Sequence, residues 1–375
     1  MSAVAPPVSA DLTVSLVRDG DELNTLRTEW ESLEDRAEHF GLYVTWSYVQ
    51  LAWLHFSSPG DELFVVTVRE GGQLVGVLPL VRVPERHYGM TLRVLRHIGI
   101  WEGERPGVLS LDRPDRIWAA AWDHLKANRA EWQVLDLREL DADAWPLREL
   151  VQPGGGFSSE SQPDIEAPYQ RLDSTWPLHL ALRTDRLRAQ RALARQRLAA
   201  AMPGLCVAVA EQPEDVPAAF DRYLALEQAL VAQDSGVTIG RDPRCVAFYR
   251  DWLPRLAARG DAAVWLLGGD RGEVAGLIRL RCGDVWIERH ACFDPAHAEL
   301  TPSLLLAIEA LQHSFGTTAE ECDVVCVREP AESGATLRDW FDDRRATQRL
   351  SVWNLHSRLA PVAFLRGLGN RFKGG

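Results

Sequence analysis

The first half of this 375-residue sequence has no cysteine, and the six in the second half (Cys206, Cys245, Cys282, Cys292, Cys322, Cys326) form no C-x-x-C pair. That excludes a zinc-ribbon framework and reads as reduced thiols of a cytoplasmic protein. No run approaches the roughly 20 apolar residues that span a bilayer. The opening MSAVAPPVSADLT has no basic segment ahead of an apolar one, so neither secretion nor a transmembrane segment is expected. Excess positive charge is also missing: 41 basic against 53 acidic side chains give a net charge of −12, which disfavours general nucleic-acid coating. A G-x-S-x-G elbow is absent, which argues against a hydrolase. What is present is 46% hydrophobic and 25% charged residues with 14 tryptophans, the balance of a soluble globular protein with a rich core. The length implies roughly two or three domains.

Turn signals are densest at Pro153-Gly154-Gly155-Gly156, followed by Ser158, Ser159 and Ser161, which read as a linker between domains 1–160 and 161–375. The first half reads as a strand near 12–17, helices near 22–36 and 46–56, and strands 63–69, 74–82 and 91–98. A helix over 114–127 and a strand over 132–137 complete it. The second half repeats the order. Leu74-Val-Gly76-Val-Leu78 matches Val274-Ala-Gly276-Leu-Ile278, and Trp30-Glu-Ser-Leu-Glu34 matches Tyr223-Leu-Ala-Leu-Glu227. Trp53 matches Trp252, and Val134-Leu-Asp-Leu-Arg138-Glu139 matches Val324-Val-Cys-Val-Arg328-Glu329, all at offsets of 190 to 200 residues. Each half is therefore α+β: two helices, an antiparallel meander, a crossover helix, and a returning strand parallel to the last meander strand. Two parallel neighbours in such a sheet are expected to splay into a cleft for an extended ligand.

The runs Trp30-Glu-Ser-Leu, Thr45-Trp46-Ser-Tyr48, Leu51-Ala-Trp53 and Gly76-Val-Leu78-Pro79-Leu80 resemble the CelD-like, Fem-related acetyltransferase-like family of the GNAT superfamily. So do Tyr169-Gln-Arg-Leu172, Phe248-Tyr249, Gly276-Leu-Ile, Phe293-Asp294-Pro295 and Thr301-Pro302-Ser303-Leu-Leu. The resemblance implies tandem GNAT-like domains, each a mixed, mostly antiparallel sheet flanked by helices, with the second binding acyl-CoA or acetyl-CoA as co-substrate. The acceptor would be an amine on a small molecule, glycan or peptide. Alternatives are aminoacyl-tRNA-dependent transfer, with tRNA as partner, and a non-catalytic accessory role in polysaccharide or envelope assembly. One departure stands out. The family's Q/R-x-x-G-x-G/A loop ahead of the crossover helix is replaced by Ala298-Glu-Leu-Thr-Pro-Ser303, with no glycine.

Candidate chemistry concentrates in Asp284-Val-Trp-Ile-Glu-Arg-His-Ala-Cys-Phe293. Strand alternation predicts Trp286, Glu288, His290 and Cys292 on one face. A carboxylate beside an imidazole suits general-base removal of a proton from an amine nucleophile, so Glu288 and His290 are the candidate catalytic residues. Thr301 as N-cap, with Pro302 in the first helical position, opens the crossover helix and turns its dipole toward an anion such as a pyrophosphate. With Cys292, Phe293, Thr301, Ser303, Leu304 and Arg328 lining the cleft, this is the candidate donor site. Arg188, Arg191 and Arg195 share a face of an arginine-rich helix and form a candidate anion-binding patch, opposite a face of Leu187, Ala194 and Leu198. No metal is expected.

Overall fold

A computed structural model of the protein describes residues 12–37, 41–87, 89–99, 104–151, 154–232, 238–324 and 337–362. Two compact units are present. Among the described residues the first comprises those from 12 to 99, from 104 to 164 and from 347 to 362, and the second those from 165 to 346. The expected single cut between residues 160 and 161 therefore becomes two crossings. The physical reason is that residues 347–353 pair with strand 134–141 of the first unit.

In the first unit the chain forms β1 (Leu12–Val17), α1 (Gly20–Thr25), α2 (Arg27–Glu34), α3 (Trp46–Phe56), β2 (Glu62–Glu70), β3 (Gln73–His87), β4 (Met90–His97) and β5 (Leu109–Ser110). It continues as α4 (Pro114–Ala127), β6 (Val134–Asp141) and α5 (Trp145–Leu150). The helix expected over 22–36 is two helices, because Leu26 closes α1 with an N–H bond to Leu23 O, a tighter i to i−3 turn. Gly71 and Gly72, both at positive φ, make the tight β2–β3 turn. On α4, Pro114 presets the first turn. Ile117, Trp118, Ala121, Trp122 and Leu125 recur at helical spacing and are buried. Four of them extend the apolar core of Phe64, Val66, Leu78, Leu80 and Leu95 (Trp118, Ala121, Trp122 and Leu125). Ile117 seats directly over Gly76, where a Cβ would lie 2.5 Å from its Cδ1. β4 and β6 run parallel, and the other neighbours are antiparallel.

Strand β7 (Phe157–Arg171) follows, and the three serines expected in a linker lie within it. Phe157 anchors its start by stacking on Trp132 and meeting Trp122 edge-on. The second unit contains α6 (Trp176–Leu182), α7 (Asp185–Ala201), β8 (Cys206–Ala210), α8 (Val216–Ala232), α9 (Pro243–Ala257), β9 (Ala262–Gly269), β10 (Gly272–Cys282) and β11 (Val285–Phe293). After these come α10 (Pro302–Ser314), β12 (Glu321–Val324) and β13 (Asp343–Asn354), whose residues from Thr347 belong to the first unit. Its strand order is β8-β9-β10-β11-β12-β7, with β11 and β12 parallel.

Two details carry the duplication. Glu34 and Glu227 are buried twins, each accepting a backbone N–H twelve residues on: Trp46 N to Glu34 at 2.6 Å, and Ile239 N to Glu227 at 3.0 Å. In addition, both hairpins carry one extra residue at the same place, Val75 in β3 and Val274 in β10. That equates Gly76 with Ala275, so the letter match of Gly76 to Gly276 is one residue out of register. A one-residue slip reverses the face of a strand. Accordingly Gly76 sits under the crossover helix α4, whereas a Cβ on Gly276 would meet Tyr223 of α8.

Candidate active site

Simple alternation fails in β11. Its register against β10 runs Gly276↔Cys292, Leu277↔Ala291, Ile278↔His290 and then Arg279↔Glu288, so Arg289 is one residue too many and Glu288 and Arg289 together oppose Arg279. This β-bulge restarts the alternation and divides the four residues expected on one face. Trp286 and Glu288 lie on the α10 side, where Arg279 reaches Ser314 of α10. His290 and Cys292 lie on the α8/α9 side. The carboxylate and the imidazole are thus on opposite faces of the sheet.

Glu288 is 0% exposed. Its Oε1 accepts from Cys322 Sγ at 3.8 Å, and its Oε2 has no hydrogen-bond partner within the protein. Burial pushes its carboxyl up to about 7, against the opposing pull of the Arg279 charge and the Cys322 thiol. A raised carboxyl has a definite sign in linkage. Stability from its protonated form is complete below about pH 4.5 and is lost as pH rises through about 7. Wild type is therefore expected to lose on the order of 3 kcal/mol relative to Glu288→Gln across this window, measured by urea unfolding at pH 4.5 and 8. Parallel pH profiles for the two proteins would refute the shift.

His290 behaves in the opposite way. Burial, with Arg289 adding, holds its imidazole well below the usual histidine range, so it is neutral at pH 7. Its Nε2 and the Tyr249 hydroxyl are 2.8 Å apart. Cys292 is buried beneath α8, its Sγ donating to Tyr223 O at 3.9 Å, and burial raises its thiol far above the ordinary value. It packs there as a small apolar group.

Phe293, buried, ends β11. Asp294 caps a short 3-10 turn, Pro295–Leu300, which leads to Thr301. Thr301 stands at the N-cap but at φ 49°, ψ 50°, and its side chain makes none of the expected cap hydrogen bond. A left-handed β-branched residue is a backbone outlier. The strain supplies, without glycine, a sharp turn into α10, and Ser303 and Leu304 follow Pro302 in a first turn lacking a side-chain cap. Such amides suit a phosphate oxygen.

The three arginines are engaged within their own unit. Arg188 pairs with Asp185 and donates to Ala181 O. Arg191 donates to Glu309 at 3.0 Å and Gln312 at 2.7 Å and lies over the Trp176 ring, and Arg195 reaches Glu309 at 3.3 Å. Leu187, Ala194 and Leu198 are buried as expected. An incoming anion at Arg191 or Arg195 would have to displace Glu309. Arg328 and Cys326 lie outside the described residues. The same holds for the splay of β11 from β12 beyond the last described pair, Glu288↔Val324.

Sequence reasoning missed Arg279 and the roles of Tyr223 and Tyr249. Arg279 had a visible signal: a lone charge inside the apolar run Val274–Leu280, wholly buried in the structure. Among the described residues no helix is long and apolar enough to cross a membrane. Nor does any group of three or more His, Cys, Asp or Glu have the arrangement to hold a metal ion.

Residues 186–330 match the family model described as an acetyltransferase (GNAT) domain. A search of curated proteins finds no match to the sequence. Among solved structures, FemX has a TM-score of 0.59 at 11% identity, covering 86% of this chain and 95% of that one. The C-terminal domain of a candidate lysylphosphatidylglycerol synthetase from Agrobacterium fabrum gives 0.55 at 12%, covering 90% and 95%. L-PGS from Bacillus licheniformis gives 0.52 at 11%, also covering 90% and 95%. At these identities the likeness is one of fold. The fold is GNAT-like, α+β with mixed, mostly antiparallel sheets flanked by helices, and the segment that matches the acetyltransferase (GNAT) domain model lies in the second unit.

Proposed function

We propose that the second unit transfers an acyl group from acyl-CoA, with acetyl-CoA the simplest case, to an amine on a small molecule, glycan or peptide. The observation that carries this reading is the β11 bulge, which sets the buried Glu288 carboxylate directly beside a kink in the strand next to β12, where burial pushes it up to about 7. Glu288, acting directly or through a water, takes the proton from the attacking amine, since only the neutral amine is nucleophilic. A carbon–nitrogen bond forms, the carbon–sulfur bond of the thioester breaks, and the proton passes to the leaving thiolate. Backbone amides along the kinked strand are suited to polarise the thioester carbonyl. The uncapped start of α10, at Ser303 and Leu304, is suited to the pyrophosphate. His290, neutral and bonded to Tyr249, supports the opposite side of the strand, and Glu288 is left as the base.

Calorimetry on the full chain with acetyl-CoA and long-chain acyl-CoAs tests the donor. Saturable binding on the order of 1 μM to 1 mM is expected, the usual range of enzyme–substrate affinity. Binding of tRNA with no CoA ester bound would replace this reading with aminoacyl-tRNA-dependent transfer. Binding of neither would favour a CelD-like accessory role in polysaccharide or envelope assembly.

A further inference from the structure

Arg279 lies wholly buried in mid-sheet, where a cation without compensation is costly. Its guanidinium lies against two indoles, 4.5 Å from the Trp286 centroid and 5.3 Å from that of Trp265. Nη2 donates to Ser314 Oγ and, at 4.0 Å, to Cys322 Sγ, while Nε and Nη1 find no acceptor within the protein. Glu288 stands directly across the strand pair on the same face. The two make no direct hydrogen bond. Instead the Cys322 thiol sits between them, accepting from Arg279 and donating at 3.8 Å to Glu288 Oε1. Both therefore have unused capacity inside the same buried group: the Nε and Nη1 nitrogens, with three N–H donors between them, on one, and one carboxylate oxygen on the other.

Among the described residues the charged and titratable neighbours are few. On α10, His313 meets both indoles edge-on, and burial and Arg279 lower its proton affinity. On β12, Cys322 holds its proton because burial and Glu288 raise it. Asp323 accepts from Arg345, and Arg289 follows Glu288 on β11. Arg279 is thus the cation that bears on Glu288 most directly. A methionine has nearly the reach of arginine and would occupy an indole-lined slot without a desolvation cost, so packing alone gives no reason for a guanidinium here.

We infer that Arg279 is a positioning residue for Glu288: clamped by Trp265, Trp286 and Ser314, it orients the carboxylate through the Cys322 thiol and sets its charge state by its own charge. The inference rests on the reading of Glu288 as the base. Burial raises the carboxyl and the arginine charge opposes that rise, which holds it near the pH at which a base is unprotonated yet still basic.

The test is a carboxyl ¹³C titration of Glu288 in full-length protein labelled at glutamate, the signal being assigned by its loss in Glu288→Gln. In Arg279→Met the midpoint is expected to rise by about one pH unit or more. Arg279→Lys, which keeps the charge, is expected to recover at least half of that rise. Cys322→Ala is expected to give a smaller rise. An unchanged midpoint in folded Arg279→Met overturns the inference, as does a Lys variant indistinguishable from Met. Should Arg279→Met not fold, judged by circular dichroism, Cys322→Ala decides: a rise supports the link and an unchanged midpoint overturns it. The pH profile of CoA release from acetyl-CoA separates this from the proposed function. The acid limb should move with the titration midpoint, giving about a tenfold lower kcat below it at unchanged KM. A midpoint that moves while the acid limb does not removes Glu288 as the base, leaving its coupling to Arg279 intact. Wild type that releases no CoA from acetyl-CoA counts against that donor alone, and the titration still decides the role of Arg279.

Discussion

Glu288→Gln is expected to lower acyl transfer by about 10²- to 10⁴-fold, the usual contribution of a positioned general base. Donor affinity should stay within about twofold, because the amide removes an interaction made only as the amine loses its proton. The substitution is nearly isosteric and eliminates a buried ionisable group, so at pH 8 the variant should be at least as stable as wild type. That separates catalysis from folding. Steady-state CoA release with calorimetry of the donor checks both halves, and a folded variant with wild-type turnover would exclude the base role. His290→Ala makes the natural control. Its imidazole is already neutral and faces Tyr249 on the other side of the sheet, so its loss should fall mainly on stability.

The second large effect is structural. Glu227 accepts from the backbone of Ile239 at 3.0 Å and Gly240 at 2.7 Å, tying α8 to the turn that leads into α9. Glu227→Leu leaves those N–H groups without their acceptor, at an expected cost on the order of 3 kcal/mol or more. Glu227→Gln retains one acceptor oxygen and should lose about half as much. Glu34→Leu should have the same sign in the first unit, where Trp46 N loses its acceptor. Urea unfolding followed by tryptophan fluorescence measures all three. A Glu227→Leu protein within about 0.5 kcal/mol of wild type would show that the carboxylate does not hold that turn.

Element order was legible because its signals are local. Gly71-Gly72 dictates a tight turn, and Pro114 and Pro302 each mark the first turn of a crossover helix. The repeat was legible too, but only to within one residue. The matching glycines drew Gly76 onto Gly276, whereas the bulges at Val75 and Val274 align Gly76 with Ala275. The helix end at Thr301 was readable from Thr-Pro-Ser, yet its left-handed turn was not, since nothing local favours that conformation for threonine. On α7 the i, i+4 spacing of Arg191 and Arg195 was legible as a shared side of the helix. Their partner Glu309 is more than a hundred residues away and belongs to α10, so the charge balance there waited on tertiary contact.

By itself the sequence determined the α+β class, the duplicated plan and the strand that carries Glu288 and His290, because periodicity and turn chemistry act within a few residues. Only the tertiary structure decided which of those side chains share a surface. One extra residue at Arg289 reverses the alternation, parts Glu288 from His290 and sets Glu288 against Arg279 and Cys322. A bulge is specified by pairing with the neighbouring strand, and a side chain's environment by whatever helix covers that face. Neither is encoded in the spacing of residues along one strand.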